Sequence, residues 1–279
     1  MSYNVNDYNA ANYNAGGGFE VTLSPDLFVF NGFSLSNNST LFIGFIEDNM
    51  PVRRILGGAT PREDGEYFNA DYWQRKIITA RGWAKAADAT ALELLLDNIR
   101  EQLAPPQKFL DITRNSVVRR YTASLINGDR IFSGREGTWV TFTKFEIQFL
   151  CKTPFAEDRG FSSGFVTVTT SPTNLSVCNE GTIEAEPVIV AIFDSATDVT
   201  ALNVKNLTND DEIDFTGTLT AGDQLEFDSA NKTVKLNGTE VDYTGSFPTM
   251  DVGANLFQFT TTGTSFDYTV TVKFKNRFL

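Results

Sequence analysis

Residues 88–106 read DATALELLLDNIREQLAPP, and they decide how the first half of the chain must fold. Leu92, Leu95, Leu96, Ile99 and Leu103 recur at three- and four-residue spacing and so share one face of a helix. Asp88 or Thr90 can cap the first turn, and Glu93 stands three residues after Thr90, as a capping box requires. Pro105 and Pro106 end the helix, because proline cannot donate to the ladder and disfavours helical geometry in the residue before it. A lone amphipathic helix has to bury its apolar stripe, and the rest of the sequence offers only sheet to receive it. A small sheet or barrel folded around one helix, 88–104, is therefore expected.

Working outward, residues 76–84 (KIITARGWA) form a strand that feeds the helix. Strands at 109–113, 117–127 and 138–151 follow it. Upstream, 19–23, 27–30, 41–47 and 52–56 are strand candidates, with a tight turn at Asn31-Gly32. Residues 57–74, GGATPREDGEYFNADYWQ, read as one long polar loop, and loops of that length in compact domains are functional or interfacial. Its part from Gly57 to Tyr67, with Arg53, Arg54 and Arg62, is a candidate for contact between subunits, either side by side or stacked on one another. The first 18 residues, rich in Asn, Tyr and Gly, lack core-forming side chains and read as a flexible arm.

The second half, from the turn GFSSG at 160–164 onward, reads as β throughout. Strands are expected at 165–170, 188–193, 201–206, 224–228, 233–236, 239–243, 256–261 and 268–277. Asn237-Gly238 marks a hairpin, and DSANK at 228–232 a second turn. Short strands at regular spacing predict a β-sandwich of jelly-roll or Greek-key type.

Charge divides the same way. Residues 1–159 hold 17 Lys+Arg against 19 Asp+Glu, whereas residues 160–279 hold 6 against 16. The acidic second half lacks the basic surface that phosphate contact needs. The chain has no histidine, which removes Ser-His-Asp and Cys-His catalysis and imidazole metal sites. Cys151 and Cys178 lie too far apart for a CxxC motif and are expected to be two buried thiols. No apolar run reaches the ~20 residues of a membrane span, and the N-terminus lacks the pattern of a signal peptide. Neither a cofactor nor a metal is expected. The acidic run 209–214 lacks calcium-loop spacing and reads as a solvated turn. Glu184 and Glu186, before Pro187, are the nearest carboxylate pair for glycoside chemistry and read as edge polar residues.

In their order along the chain, several stretches resemble the distal tail proteins of siphophages. They are FVFNGF (28–33), KIITARGWA, the helix, Arg119-Arg120-Tyr121-Thr122-Ala123 and FEIQFLCKTPFAED (145–158) in the first half. NEGTIEAEPVI (179–189), LTAGDQLEFDSANKTVKLNGTEV (219–241), GSFPTMDVGANLFQF (245–259) and KFKNRFL continue it in the second. The resemblance covers residues 27–279. It implies a mainly β chain in which a split-barrel-like N-terminal domain with one helix, residues 19–159, forms a hexameric ring. A galectin-like β-sandwich, residues 160–279, projects outward. It further implies a non-enzymatic hub at the virion tail tip, synthesised in the host cytoplasm. The implied partners are the tail tube protein, the tail-tip hub protein, the tape measure and receptor-binding proteins, with DNA passing only in transit. The alternative is an adhesion module that binds host-surface carbohydrate. All three tryptophans lie in the first half, so the second lacks the stacking platform such a site uses.

Overall fold

The computed structural model describes residues 28–37, 39–59, 64, 66–127 and 141–279. The arm expected at 1–18, the strand expected at 19–23, Arg62, and the start of the strand expected from 138 lie outside the described residues. The chain is mainly β, as the sequence implies, and divides into Met1–Pro154 and Phe155–Leu279.

In the first unit, β1 (Phe28–Phe30), β2 (Phe33–Ser34), β3 (Leu41–Glu47), β4 (Arg53–Ala59), β5 (Glu66–Trp73) and β6 (Ile77–Lys85) precede the helix α1 (Ala89–Leu103). After it come β7 (Lys108–Arg114), β8 (Val117–Leu125) and β9 (Phe142–Cys151). Seven of these strands make one sheet in the order β2-β1-β7-β8-β9-β6-β3, with every pairing antiparallel. Asn31 and Gly32 adopt positive φ, 50° and 81°, which closes the β1–β2 hairpin where the sequence places it.

Asp88 is the residue that caps α1, accepting a 2.8 Å hydrogen bond from the Ala91 amide. Leu92, Leu96, Ile99 and Leu103 are buried, while Leu95 is only half-buried. The helix sets this stripe on the sheet. Phe145, Ile147, Phe149 and Cys151 alternate inward along β9. Phe149 lies 4.8 Å from the Phe30 ring and 5.8 Å from Phe28, centroid to centroid. On β6, Gly82 is a packing requirement. A Cβ there would overlap the Phe42 carbonyl oxygen of β3 and stand 2.9 Å from Phe145 Cζ. The Phe42 backbone cannot retreat without breaking the β3–β6 ladder. Gly82→Ala is expected to cost about 2 kcal/mol, read as a lower urea midpoint for tryptophan fluorescence.

The second unit comprises β10 (Ala156–Glu157), β11 (Ser162–Val168), β12 (Thr173–Asn179), β13 (Val188–Thr197), β14 (Val199–Asn206), β15 (Glu212–Leu219) and β16 (Gln224–Asp228). It continues through β17 (Thr233–Leu236), β18 (Thr239–Glu240), β19 (Thr244–Gly245), β20 (Gly253–Thr262), β21 (Ser265–Phe274) and β22 (Arg277–Phe278). Two sheets, β11-β21-β13-β16-β17-β18 and β12-β20-β14-β15-β19, enclose one core that includes Phe193, Phe227, Phe257, Phe259 and Tyr268. Asn237 and Gly238 form the β17–β18 turn, with φ of 52° and 81°. Asp228 Oδ1 accepts from the amides of Ala230 and Asn231, which makes the second turn.

Residues 155–159, read with the first domain in the sequence, fall in this unit because β10 pairs with the C-terminal β22. Lys275 Nζ meets Glu157 at 3.0 Å, and Asn276 donates to Asp158 at 2.9 Å.

Two of the longer strands of this unit carry no clear signal in the sequence. β12 is polar, and its buried positions are Val177 and Asn179. β15 begins inside the acidic run, at Glu212, so that run is half strand rather than a turn. The thiol expectation is corrected in part. Both cysteines are free and Cys151 is buried, but Cys178 is exposed, because it alternates with Val177 and Asn179 on an edge strand. Burial pushes the Cys151 thiol up to about 12. Iodoacetamide at pH 8 should therefore modify one thiol in the native chain, Cys178, and two in urea, counted by intact mass. Rapid native labelling of both would contradict this packing.

Candidate assembly interface

Within the polar stretch expected as a loop, 57–59 and 66–73 are strand. β4 and β5 pair as a two-stranded ribbon outside the main sheet, with a register shift between Leu56 and Gly57. The aromatic residues of EYFNADYW carry the strand signal, and the two glycines upstream obscured it. A two-stranded ribbon is marginally stable by itself, so its base has to be anchored.

The anchor is a buried ion pair. Asp48 follows β3 and Lys76 precedes β6, one at each foot of the ribbon. Lys76 Nζ lies 2.6 Å from Asp48 Oδ1, with side chains 3 % and 8 % exposed. Tyr121 of β8 completes the group, accepting from Lys76 at 3.1 Å and donating to Asp48 at 3.2 Å. Arg114 reaches the other Asp48 oxygen at 3.1 Å. Burial first, and then the Asp48 charge, hold the Tyr121 phenol far above its usual range, so it remains a donor. The Gln74 amide also bonds the Val52 carbonyl at 2.8 Å, closing the base.

Alternation sends neighbouring ribbon residues to opposite faces. Arg53 stacks on Trp73, 4.4 Å from its guanidinium carbon to the ring centroid. Arg54 pairs across the ribbon with Tyr72 and shares its face with Leu56. A cleft at the base of the ribbon is lined by Arg54, Leu56, Tyr72, Trp73, Gln74 and Arg75. Tyr72 is 60 % exposed, and Met50, Val52 and Ile55 around the base are exposed as well. The predicted Arg53 and Arg54 thus sit on one ribbon but serve different faces. No local sequence pattern assigns Tyr72, Trp73, Arg75, Asp48 or Lys76 to this surface. The arginines on the main sheet are differently occupied: Arg120 makes a two-pronged pair with Asp111 at 2.7 Å, and Arg81 bonds Glu146 at 2.8 Å.

In the second unit the acidic run 209–214 and the pair Glu184 and Glu186 have protein partners. Asn203 donates to Glu212 and Asp214, both at 2.7 Å, and Lys205 lies 3.4 Å from Asp210 and from Glu212. Asp211 takes the Thr249 amide and hydroxyl. Buried Asn206 and Asn255 tie the same segment, with Asn206 donating to the Thr249 carbonyl at 2.7 Å and to Asn255 at 3.1 Å. Glu186 meets Arg277 at 3.2 Å, while Glu184 offers Arg277 its backbone carbonyl. Among the described residues, no cluster of three metal-ligating side chains occurs. No described helix is long and apolar enough to cross a membrane.

Residues 180–278 match the family model described as a siphovirus-type tail component, C-terminal domain. The resemblance to siphophage distal tail proteins is borne out. The chain is also similar to the crystal structure of the phage SPP1 Dit (gp 19.1) protein, described as a paradigm of hub adsorption apparatus in Gram-positive infecting phages. The TM-score is 0.68 at 14 % identity, over 91 % of this chain and 99 % of that one, so the distal tail fold spans both units. A chain of the phage p2 baseplate, in its activated conformation with Sr, aligns over 84 % of this chain and 91 % of its own, at 8 % identity and TM-score 0.41. No curated protein matches.

Proposed function

We propose that this chain is a distal tail hub subunit of a siphophage and acts by assembly, not by catalysis. The observation that carries the reading is the tail-component match over the second unit, joined to a likeness of fold along nearly the whole SPP1 Dit chain. In this reading the first unit forms a hexameric ring around a channel for DNA. The ring joins the tail tube to the tip, and the second unit projects outward toward receptor-binding parts.

Two physical features support a role for the first unit in assembly. The ribbon exposes a cluster of aromatic and aliphatic side chains that solvent does not favour. Its base is fixed by a buried ion pair, so those side chains are presented rigidly. Arg54, with Arg53 on the opposite face, belongs to this surface, and Arg62 extends the proposal to the stretch between the two strands. Each ring contact should bury more than ~1,000 Å² if the subunits are obligate partners. The acidic second unit, 16 Asp+Glu against 6 Lys+Arg over residues 160–279, keeps assembled rings apart by like-charge repulsion.

Electron microscopy of the purified chain in negative stain tests this. Six-fold rings with a central opening are expected. Compact particles without rotational symmetry, at concentrations where association is complete by sedimentation, would count against a ring.

A further inference from the structure

Two turns of the chain are alike in backbone and differ in side chain. Asn31-Gly32 closes β1–β2, and Asn237-Gly238 closes β17–β18. The asparagines have φ of 50° and 52°, and both glycines have φ of 81°. In each turn the asparagine amide donates to a carbonyl of the strand alongside, Asn31 to Phe109 at 2.9 Å and Asn237 to Gln224 at 2.8 Å. All four turn residues are exposed.

The two side chains are held differently. Asn237 Oδ1 accepts from the Gln224 amide at 2.9 Å, and Nδ2 donates to Asp223 Oδ1 at 2.7 Å. The Thr220 amide and hydroxyl fix the other Asp223 oxygen, at 2.7 and 2.9 Å. The bond from Asn237, and then the one from the Thr220 amide, hold the Asp223 carboxyl below its usual range, so it stays an ionised acceptor at neutral pH. The Asn31 side chain has no hydrogen-bond partner among the described residues.

An asparagine that precedes glycine is open to attack by the next backbone nitrogen, because glycine has no Cβ to crowd it. The glycine nitrogen gives its proton to a solvent base and bonds to the asparagine Cγ. The bond from Cγ to the side-chain nitrogen breaks, and that nitrogen leaves as ammonia with a proton from water. Water then opens the cyclic imide at either carbonyl. One product is aspartate with the original backbone, and the other is isoaspartate, whose backbone is one carbon longer. The attack requires the side chain to rotate over the glycine nitrogen. Asn237 must first break two hydrogen bonds, one of them to a carboxylate, whereas Asn31 breaks none.

We infer that Asn31 is a site of spontaneous deamidation in the folded chain, and that Asp223 and Gln224 protect Asn237 from the same reaction. The isoaspartyl product lengthens a two-residue turn whose flanking pair is Phe30 and Phe33. Phe30 is fully buried and packs on Phe149 at 4.8 Å, so the longer turn disturbs the core of the first unit, while the aspartyl product leaves the backbone as it was.

Peptide mapping of the full chain after incubation at pH 8, with digestion in acid and fragmentation that separates the two isomers, tests this. Position 31 should convert at least about tenfold faster than position 237. In urea the two should convert at similar rates. Asp223→Ala should bring position 237 close to the rate at position 31, and leave position 31, in the other unit, unchanged. An Asn31 that persists in the native chain while converting in urea overturns the site. Equal native rates at the two positions overturn the protection, and an Asp223→Ala chain with an unchanged rate at 237 overturns Asp223 as its source. The isoaspartyl fraction should also unfold at a lower urea midpoint by tryptophan fluorescence. An unchanged midpoint would overturn the consequence drawn for the core.

Discussion

Asp48→Asn lowers the unfolding free energy of the first unit by about 3–5 kcal/mol, the range for breaking a buried ion pair by removing one partner. The substitution keeps shape and removes charge. Lys76, its side chain 3 % exposed, is then a buried cation with only neutral oxygens to accept from it, the new amide carbonyl and Tyr121 Oη at 3.1 Å. Arg114 loses a partner too, but its side chain is 53 % exposed and water replaces the carboxylate at little cost. The pair does not have to be worth that much to the native fold. Desolvation of two charges offsets most of their attraction, so the double variant Asp48→Leu with Lys76→Met should fall within about 1 kcal/mol of the native chain. All three tryptophans lie in the first half, so urea unfolding followed by tryptophan fluorescence reads this unit. A single variant within 1 kcal/mol of native would mean that the ion pair is hydrated, and that the ribbon has no rigid root.

Phe149→Ala should cost about 4 kcal/mol, within the range for removing a large aromatic side chain from a core. Phe149 is fully buried on β9, which has β8 on one side and β6 on the other. Its ring contacts Phe28 and Phe30 from β1, which is not its neighbour in the sheet. Truncation therefore opens a cavity where non-neighbouring strands meet, and the surrounding strands are too constrained by their ladders to close it. The loss should appear in the urea midpoint with an unchanged slope. A cost below about 1.5 kcal/mol would mean that β1 does not pack over β9.

The elements legible in the sequence were those with a strong local signal. The α1 stripe and its proline stop were readable because helical spacing and proline chemistry act over a few residues. The Asn31-Gly32 and Asn237-Gly238 turns were readable because both positions require positive φ. The β4–β5 ribbon was not readable. Gly57 and Gly58 weaken the strand pattern at the site of the bulge, and the ribbon takes its stability from Asp48 and Lys76, which no local pattern connects. β15 was hidden because Glu212 and Asp214 face outward as a row paired with Asn203 and Lys205, which reads in one dimension as an acidic turn. Cys178 was misplaced for a related reason: one residue of register decides whether a thiol on an edge strand faces in or out.

For the candidate interface, the sequence singles out the stretch around Arg53 and Arg54, which the structure places on opposite faces of one ribbon. A polar loop was expected, and a ribbon with an aromatic cleft stands there. Recognition of the distal tail pattern required many weak matches in order, since no motif in the chain carries chemistry by itself.

The mass of the purified chain in solution, by light scattering after size exclusion, tests the central claim most directly. One chain is 30.9 kDa, so a ring of six gives roughly 185 kDa. That mass, stable on dilution, is the result the hub reading predicts. A stable dimer or trimer would contradict it, because neither closes the head-to-tail contact around six subunits.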